Sequence, residues 1–160
     1  LPELRARIEA GARLLYTGSS WATLMSRDAY AEFFHEALCF IHQAVRQWGA
    51  LAILHATGDQ MHFMDLNIES APDILLLDHV NDIARVKTRF GKQVCLAGGI
   101  DPSGTLYRGT PADVRSETAR FLSLMARDGG YILCTSDCIV LDTPRENLEA
   151  MFEAARSFEA

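Results

Sequence analysis

Five short apolar runs recur along the chain: Leu14-Leu15-Tyr16, Leu51 to Leu54, Ile74 to Leu77, Val94 to Ala97, and Tyr131 to Leu133. Each is followed by a polar turn and then by a stretch with helical spacing. The runs are continuous rather than alternating, which is the pattern of strands covered on both faces, as in a parallel sheet with helices outside. Such a chain reads as repeated βα units, and these either spread into an open doubly wound sheet or close into a barrel.

The helices carry their own boundary signals. Tyr30, Phe33, Phe34, Ala37, Leu38, Ile41, Ala44, Val45 and Trp48 follow the three-and-four spacing of one buried face, with Ser26 as N-cap and Gly49 as the stop. Asp82 to Phe90 is a shorter helix ended by Gly91, and Thr110-Pro111-Ala112-Asp113 opens another that runs to Asp128. Glu3 to Ala10 is helical and stops at Gly11. Thr143 caps the last helix, with Pro144 at its first position and Glu146 at the capping-box spacing.

Barrel and open sheet are told apart by where the polar residues fall, and here they follow the strands. The groups are Thr17 to Ser20, His55 to Asp59, Asp78-His79, Gly98 to Asp101, and Ser136-Asp137-Cys138. In a βα barrel these ends converge on the face that holds the active site, but five units do not close an eight-stranded barrel. The expected fold is therefore α/β, the C-terminal part of a TIM-type (β/α)8 barrel, with residues 1–160 as a single partial domain. The first residue is Leu1 rather than Met, which fits missing N-terminal units. Bare sheet edges invite pairing, so a homo-oligomer or a missing N-terminal half is expected to cover them.

A net charge of -6 and a pI near 5.3, with basic residues scattered, argue against nucleic acid as the partner. No apolar run approaches a membrane span and no signal-peptide pattern opens the chain, so the expectation is a cytoplasmic protein acting on a small molecule. Cys39, Cys95, Cys134 and Cys138 fit neither a disulfide framework nor paired CxxC knuckles. The first three lie in or beside apolar runs and read as small buried hydrophobes.

The strand ends supply the candidate chemistry. His55 ends an apolar strand, where it serves either as a satisfied core histidine or as a functional group. Asp78 is equally explained by capping the next helix, and Asp101 by turn formation before Pro102. Asp137 and Cys138 place an acid and a thiol on one strand-end loop. His79 adjoins Asp78 and faces the same mouth. Gly98-Gly99 is accounted for either by a tight turn or by a phosphate-cradling one. His35, His42 and His62 read as surface or packing residues, and Phe33, Phe34 and Trp48 as core. Ser19 and Ser20 begin a loop.

Several segments also carry a resemblance, in order along the chain. Ser20-Trp21-Ala22 with Leu24-Met25-Ser26, Leu54 to Gly58, Cys95 to Pro102, Gly109 to Val114, and Gly129 to Leu133 with Asp142-Thr143-Pro144 and Glu146-Asn147-Leu148 together resemble the uroporphyrinogen decarboxylase superfamily. That superfamily contains haem-pathway decarboxylases and corrinoid-linked methyltransferases. The resemblance implies Ser20 and Trp21 as substrate contacts, with Gly98, Gly99 and Asp101 on the binding face. It implies catalytic roles for Ser20, His55 and Asp137, and the strand-end position adds Asp78 to that active face.

The two branches imply different cofactors. In the methyltransferases a His-x-Cys pair and a later cysteine hold zinc, which turns a thiol substrate into a nucleophile for the corrinoid methyl group. This chain keeps His55, has Thr57 at the first cysteine position, and has Asp137 at the later one with Cys138 beside it. Zinc on His55 and Asp137, with Cys138 able to replace the acid after a one-residue shift, is compatible with zinc's ligand chemistry although it lacks a clear third ligand, and no other cofactor is implied. The decarboxylases use no metal and bind a tetrapyrrole through its pyrrole NH groups and acidic side chains. His55 leans toward the methyltransferase branch, Ser20 suits both, and a non-catalytic half-barrel needing a partner chain is the third reading.

Overall fold

The computed structural model describes residues 1–18 and 20–159, so Ser19 of the first strand-end loop lies outside the described residues. All five apolar runs are strands: β1 (Leu14–Gly18), β2 (Leu51–Ala56), β3 (Ile74–Leu77), β4 (Cys95–Ile100) and β5 (Tyr131–Thr135). They form one sheet in the order β1-β2-β3-β4-β5, and every neighbouring pair is parallel. Sequential parallel neighbours joined by helical crossovers are the arc of a βα barrel. Several strands run further than their apolar cores, and β4 takes in Gly98 and Gly99.

The helices are α1 (Pro2–Glu9), α2 (Arg27–Tyr30), α3 (Glu36–Gln47), α4 (Met64–Glu69), α5 (Ile83–Phe90), α6 (Pro111–Met125) and α7 (Arg145–Arg156). Ser26 caps α2 by accepting from Ala29 N–H, Asp82 caps α5, and Thr110 forms a reciprocal capping box with Asp113 on α6. Thr143 does not cap α7. Pro144 occupies the cap position, and the Thr143 hydroxyl donates to Val140 O at 2.7 Å instead. A proline there leaves no helix N–H within reach of the threonine side chain.

Between α2 and α3, residues Ala31–His35 make a π-helical turn. Its extra residue shifts the helical face. Tyr30 is therefore fully buried, while Phe33 and Phe34, expected in the core, are exposed. His42, expected at the surface or in packing, is completely buried.

The two faces of the sheet differ. Leu15, Ala52, Leu54, Leu75, Leu77 and Leu96 alternate onto the helix-covered face and are buried, most of them completely. Leu54, Leu75, Leu77 and Leu96 pack with Val86, Phe90, Val114, Phe121 and Met125 from the helices, and each such leucine contributes roughly 2 kcal/mol. On the opposite face Leu14 is 51% exposed, Tyr16 58%, Leu51 47% and Ile132 44%. The expectation of cover on both faces holds only for the helix side. The open face corresponds to the inside of a barrel whose remaining strands are absent from this sheet.

Among the described residues no helix is long and apolar enough to cross a membrane.

Candidate functional site

At the C-terminal strand ends the open face dips into a cavity of about 340 Å3, lined by Tyr16, His55, Leu76, Cys134, Thr135, Asp137 and Cys138. Three candidates from the sequence, His55, Asp137 and Cys138, thus meet in one place. Tyr16 joins them from β1. Its hydroxyl contacts Nδ1 of His55, and the two rings meet edge-on with centroids 5.6 Å apart.

The hydrogen bonds define the form of the histidine. His55 Nε2 is 3.0 Å from the backbone carbonyl of Ser136, which only accepts, so Nε2 carries the hydrogen. Nδ1 then accepts, and the Tyr16 hydroxyl donates to it. Tyr16 is held above the ordinary phenol value, first by burial and then by the charges of Asp137 and Cys138. The phenol therefore keeps its hydrogen for His55. Asp137 Oδ1 accepts from the Cys138 N–H at 2.6 Å.

In this arrangement His55, Asp137 and Cys138 are not set out as a trio of zinc ligands. Both ring nitrogens of His55 are engaged in protein hydrogen bonds. Among the described residues no three His, Cys, Asp or Glu groups are arranged to hold a metal.

Asp78 and Asp101 gather at a second point beside the cavity, around His79. Asp78 is buried and accepts the Gly58 N–H on Oδ2 at 2.9 Å. Asn81 donates to Gly58 O and Asp78 O and accepts from Gln60 N–H. Gln60 in turn accepts from Asn67, and Asn67 accepts from Tyr30. This chain of buried amides fixes the loops after β2 and β3 against each other. Asp101 Oδ1 accepts from the Ser103 and Gly104 N–H groups, both at 2.9 Å. Burial pushes its pKa up, but those two bonds and the charges of His79 and Arg108 outweigh it and leave Asp101 below the usual carboxylate value.

The remaining candidates sit elsewhere. Ser20 and Trp21 are exposed in the turn after β1 and do not line the cavity. Gly98 and Gly99 are buried inside β4 rather than in a loop. Their φ angles are +114 and +116; a Cβ at Gly98 would lie 2.4 Å from Leu77 O, and one at Gly99 2.9 Å from the Tyr131 hydroxyl. Close approach of β3 and β5 explains the pair. Tyr16 and Ser136 are the residues that sequence reasoning passed over. Strand parity carried a signal for Tyr16, since it alternates onto the same face as His55 at the ends of adjacent strands.

A parallel βα sheet with its polar groups collected beyond the strand C-termini defines part of a (β/α) barrel with the active-face arrangement of that class. The family model for Uroporphyrinogen decarboxylase (URO-D) matches residues 3–158, and the chain belongs to that family. Curated relatives include the uroporphyrinogen decarboxylase of Methylobacillus flagellatus, 30% identical over 164 residues that cover 98% of this chain and 45% of that protein. The uroporphyrinogen decarboxylase of Coxiella burnetii is 27% identical over 158 residues, covering 97% of this chain and 43% of that one. The chain thus spans less than half the length of these relatives. Among solved structures, a methyltransferase from Methanosarcina mazei superposes with a TM-score of 0.86 at 22% identity, over 98% of this chain and 45% of that one. That likeness concerns the fold.

Proposed function

We propose that this chain forms one side of a metal-free site that binds a tetrapyrrole for decarboxylation, in the manner of the uroporphyrinogen decarboxylases it is similar to. The observation that carries this reading is the double hydrogen bonding of His55 between Tyr16 and Ser136 O. It spends both nitrogens on protein partners and leaves the Tyr16 oxygen and the Asp137 carboxylate as acceptors on the cavity wall. Acceptors suit pyrrole NH groups. Loss of carbon dioxide leaves an electron pair on the substrate carbon, so such a site also needs a proton source.

The remaining strands of the barrel, from the same polypeptide or from another copy, cover the open apolar face and supply the rest of the site. The methyltransferase reading asks His55 to give up one of its two bonds to a metal.

Titration of the protein with coproporphyrin, followed by porphyrin absorbance, tests the choice together with metal analysis. Saturable binding weakened by Asp137→Asn supports the decarboxylase reading. No porphyrin binding, with one equivalent of zinc lost on His55→Ala, overturns it in favour of methyl transfer.

A further inference from the structure

His79 stands beside the His55 cavity and is joined to it through a single residue. Its Nδ1 is 2.9 Å from Ser136 Oγ and also 2.9 Å from Asp78 Oδ1. A ring nitrogen this close to a carboxylate carries its hydrogen, so Nδ1–H donates to Ser136 Oγ with the Asp78 charge alongside. The other nitrogen, Nε2, faces Asp101 Oδ2 at 3.6 Å. With a hydrogen on Nε2 the ring is a cation between two anions. Without one, a lone pair is turned toward a carboxylate.

Ser136 is completely buried and uses every polar atom it has. Its N–H donates to Ile100 O at 2.9 Å, its carbonyl accepts from His55 Nε2–H, and its hydroxyl oxygen meets His79. One residue therefore holds both imidazoles in place. The His79 side chain is 34% exposed, enough for exchange with water.

We propose that Asp78, His79 and Asp101 hold an exchangeable proton on His79 Nε2 for use in decarboxylation, and that Ser136 is the positioning residue that ties this cluster to His55. The proposal rests on the acid–base reading of the neighbouring cavity. In the step it serves, the bond between the substrate carbon and its carboxylate breaks and the electron pair stays on that carbon. The carbon takes the proton from Nε2, carbon dioxide leaves, and water returns a proton to the ring.

The charged groups facing His79 come from several elements. Asp78 lies on its own loop, and Asp101 follows β4 with Arg108 near it. Asp82 and Arg120 share with His79 a small cavity of about 150 Å3 on the helix side.

Histidine 15N NMR of the intact chain tests the cluster without any assay of activity. Asp101→Asn and Ser136→Ala should each change the His79 ring signals. Ser136→Ala, which retains the backbone carbonyl, should leave His55 in its Nε2–H form. A His79 spectrum unchanged in both variants overturns the proposal. Where a porphyrinogen is turned over, His79→Gln should lower kcat about 100-fold while porphyrin affinity moves by less than about twofold. A kcat within about twofold of the parent, or an equal loss of affinity, also overturns it. Failure of the parent protein to bind porphyrin overturns the tetrapyrrole reading, and the NMR comparison still decides the cluster.

Discussion

Tyr16 reaches His55 diagonally across β1 and β2: the strand register pairs His55 with Gly18 and Tyr16 with Ile53. With glycine directly opposite, the imidazole has room to lean toward the phenol two residues back. The diagonal contact makes His55 an acceptor toward the cavity side and a donor toward β5.

Removing the phenol tests that arrangement. Tyr16→Phe should weaken coproporphyrin binding roughly five- to tenfold, the worth of one hydrogen bond, when read by absorbance titration. Ser136 O still accepts from Nε2, so the His55 tautomer should persist in 15N spectra. A switch to the Nδ1–H form would show that Tyr16, not Ser136, sets the ring.

His42 makes stability depend on pH. Burial, the largest influence, lowers it from the ordinary value of 6.5, and its Nδ1 donates to Ser70 O. The unfolded chain then takes up the proton first on acidification. Its contribution is fully present above pH 6.5 and is lost as the pH falls through the lower folded value. Urea melts between pH 7 and 5 should show the decline, and His42→Gln should flatten it.

Gly98→Ala should cost at least about 2 kcal/mol, because it combines a positive φ with a collision against the Leu77 carbonyl. Denaturant melts measure this directly. A near-neutral result would mean that β3 and β4 separate easily.

The two threonines before α6 and α7 should behave differently. Thr110→Ala should cost about 1 kcal/mol, because its oxygen accepts from Asp113 N–H in the capping box. Thr143→Ala should cost less than half of that, since no helix N–H uses its side chain. Equal losses would count against the Pro144 cap.

The strands were legible from their apolar runs because both faces of the sheet are apolar, the one under the helices and the open one that carries Leu14, Leu51 and Ile132. Ser26 was legible as a cap, and Thr110-Pro111 as a helix start, because a hydroxyl stands at the right spacing, whereas α5 is capped by Asp82, which reads from the sequence as the helix's first residue, and not by Asp78. Thr143 has the same spacing but loses the cap to Pro144, a competition that residue type alone does not decide. Phe33 was misplaced because a π-turn leaves no mark in a three-and-four pattern. His55, Asp137 and Cys138, which line one cavity, stand out in the sequence because they end or follow apolar strands. Ser136 acts through its backbone carbonyl and a small hydroxyl, and a sequence shows neither as a site.

The alternating exposure of the strands divides mutational sensitivity by parity. Substitutions at Leu15 or Leu54 bear on the stability of this chain by itself, since helices of the same chain already enclose them. Those at Leu14, Leu51 or Ile132 should be nearly silent in this chain by itself and become severe under the covering strands proposed above. A mutational scan read twice, alone and in the completed assembly, would therefore trace the absent surface residue by residue.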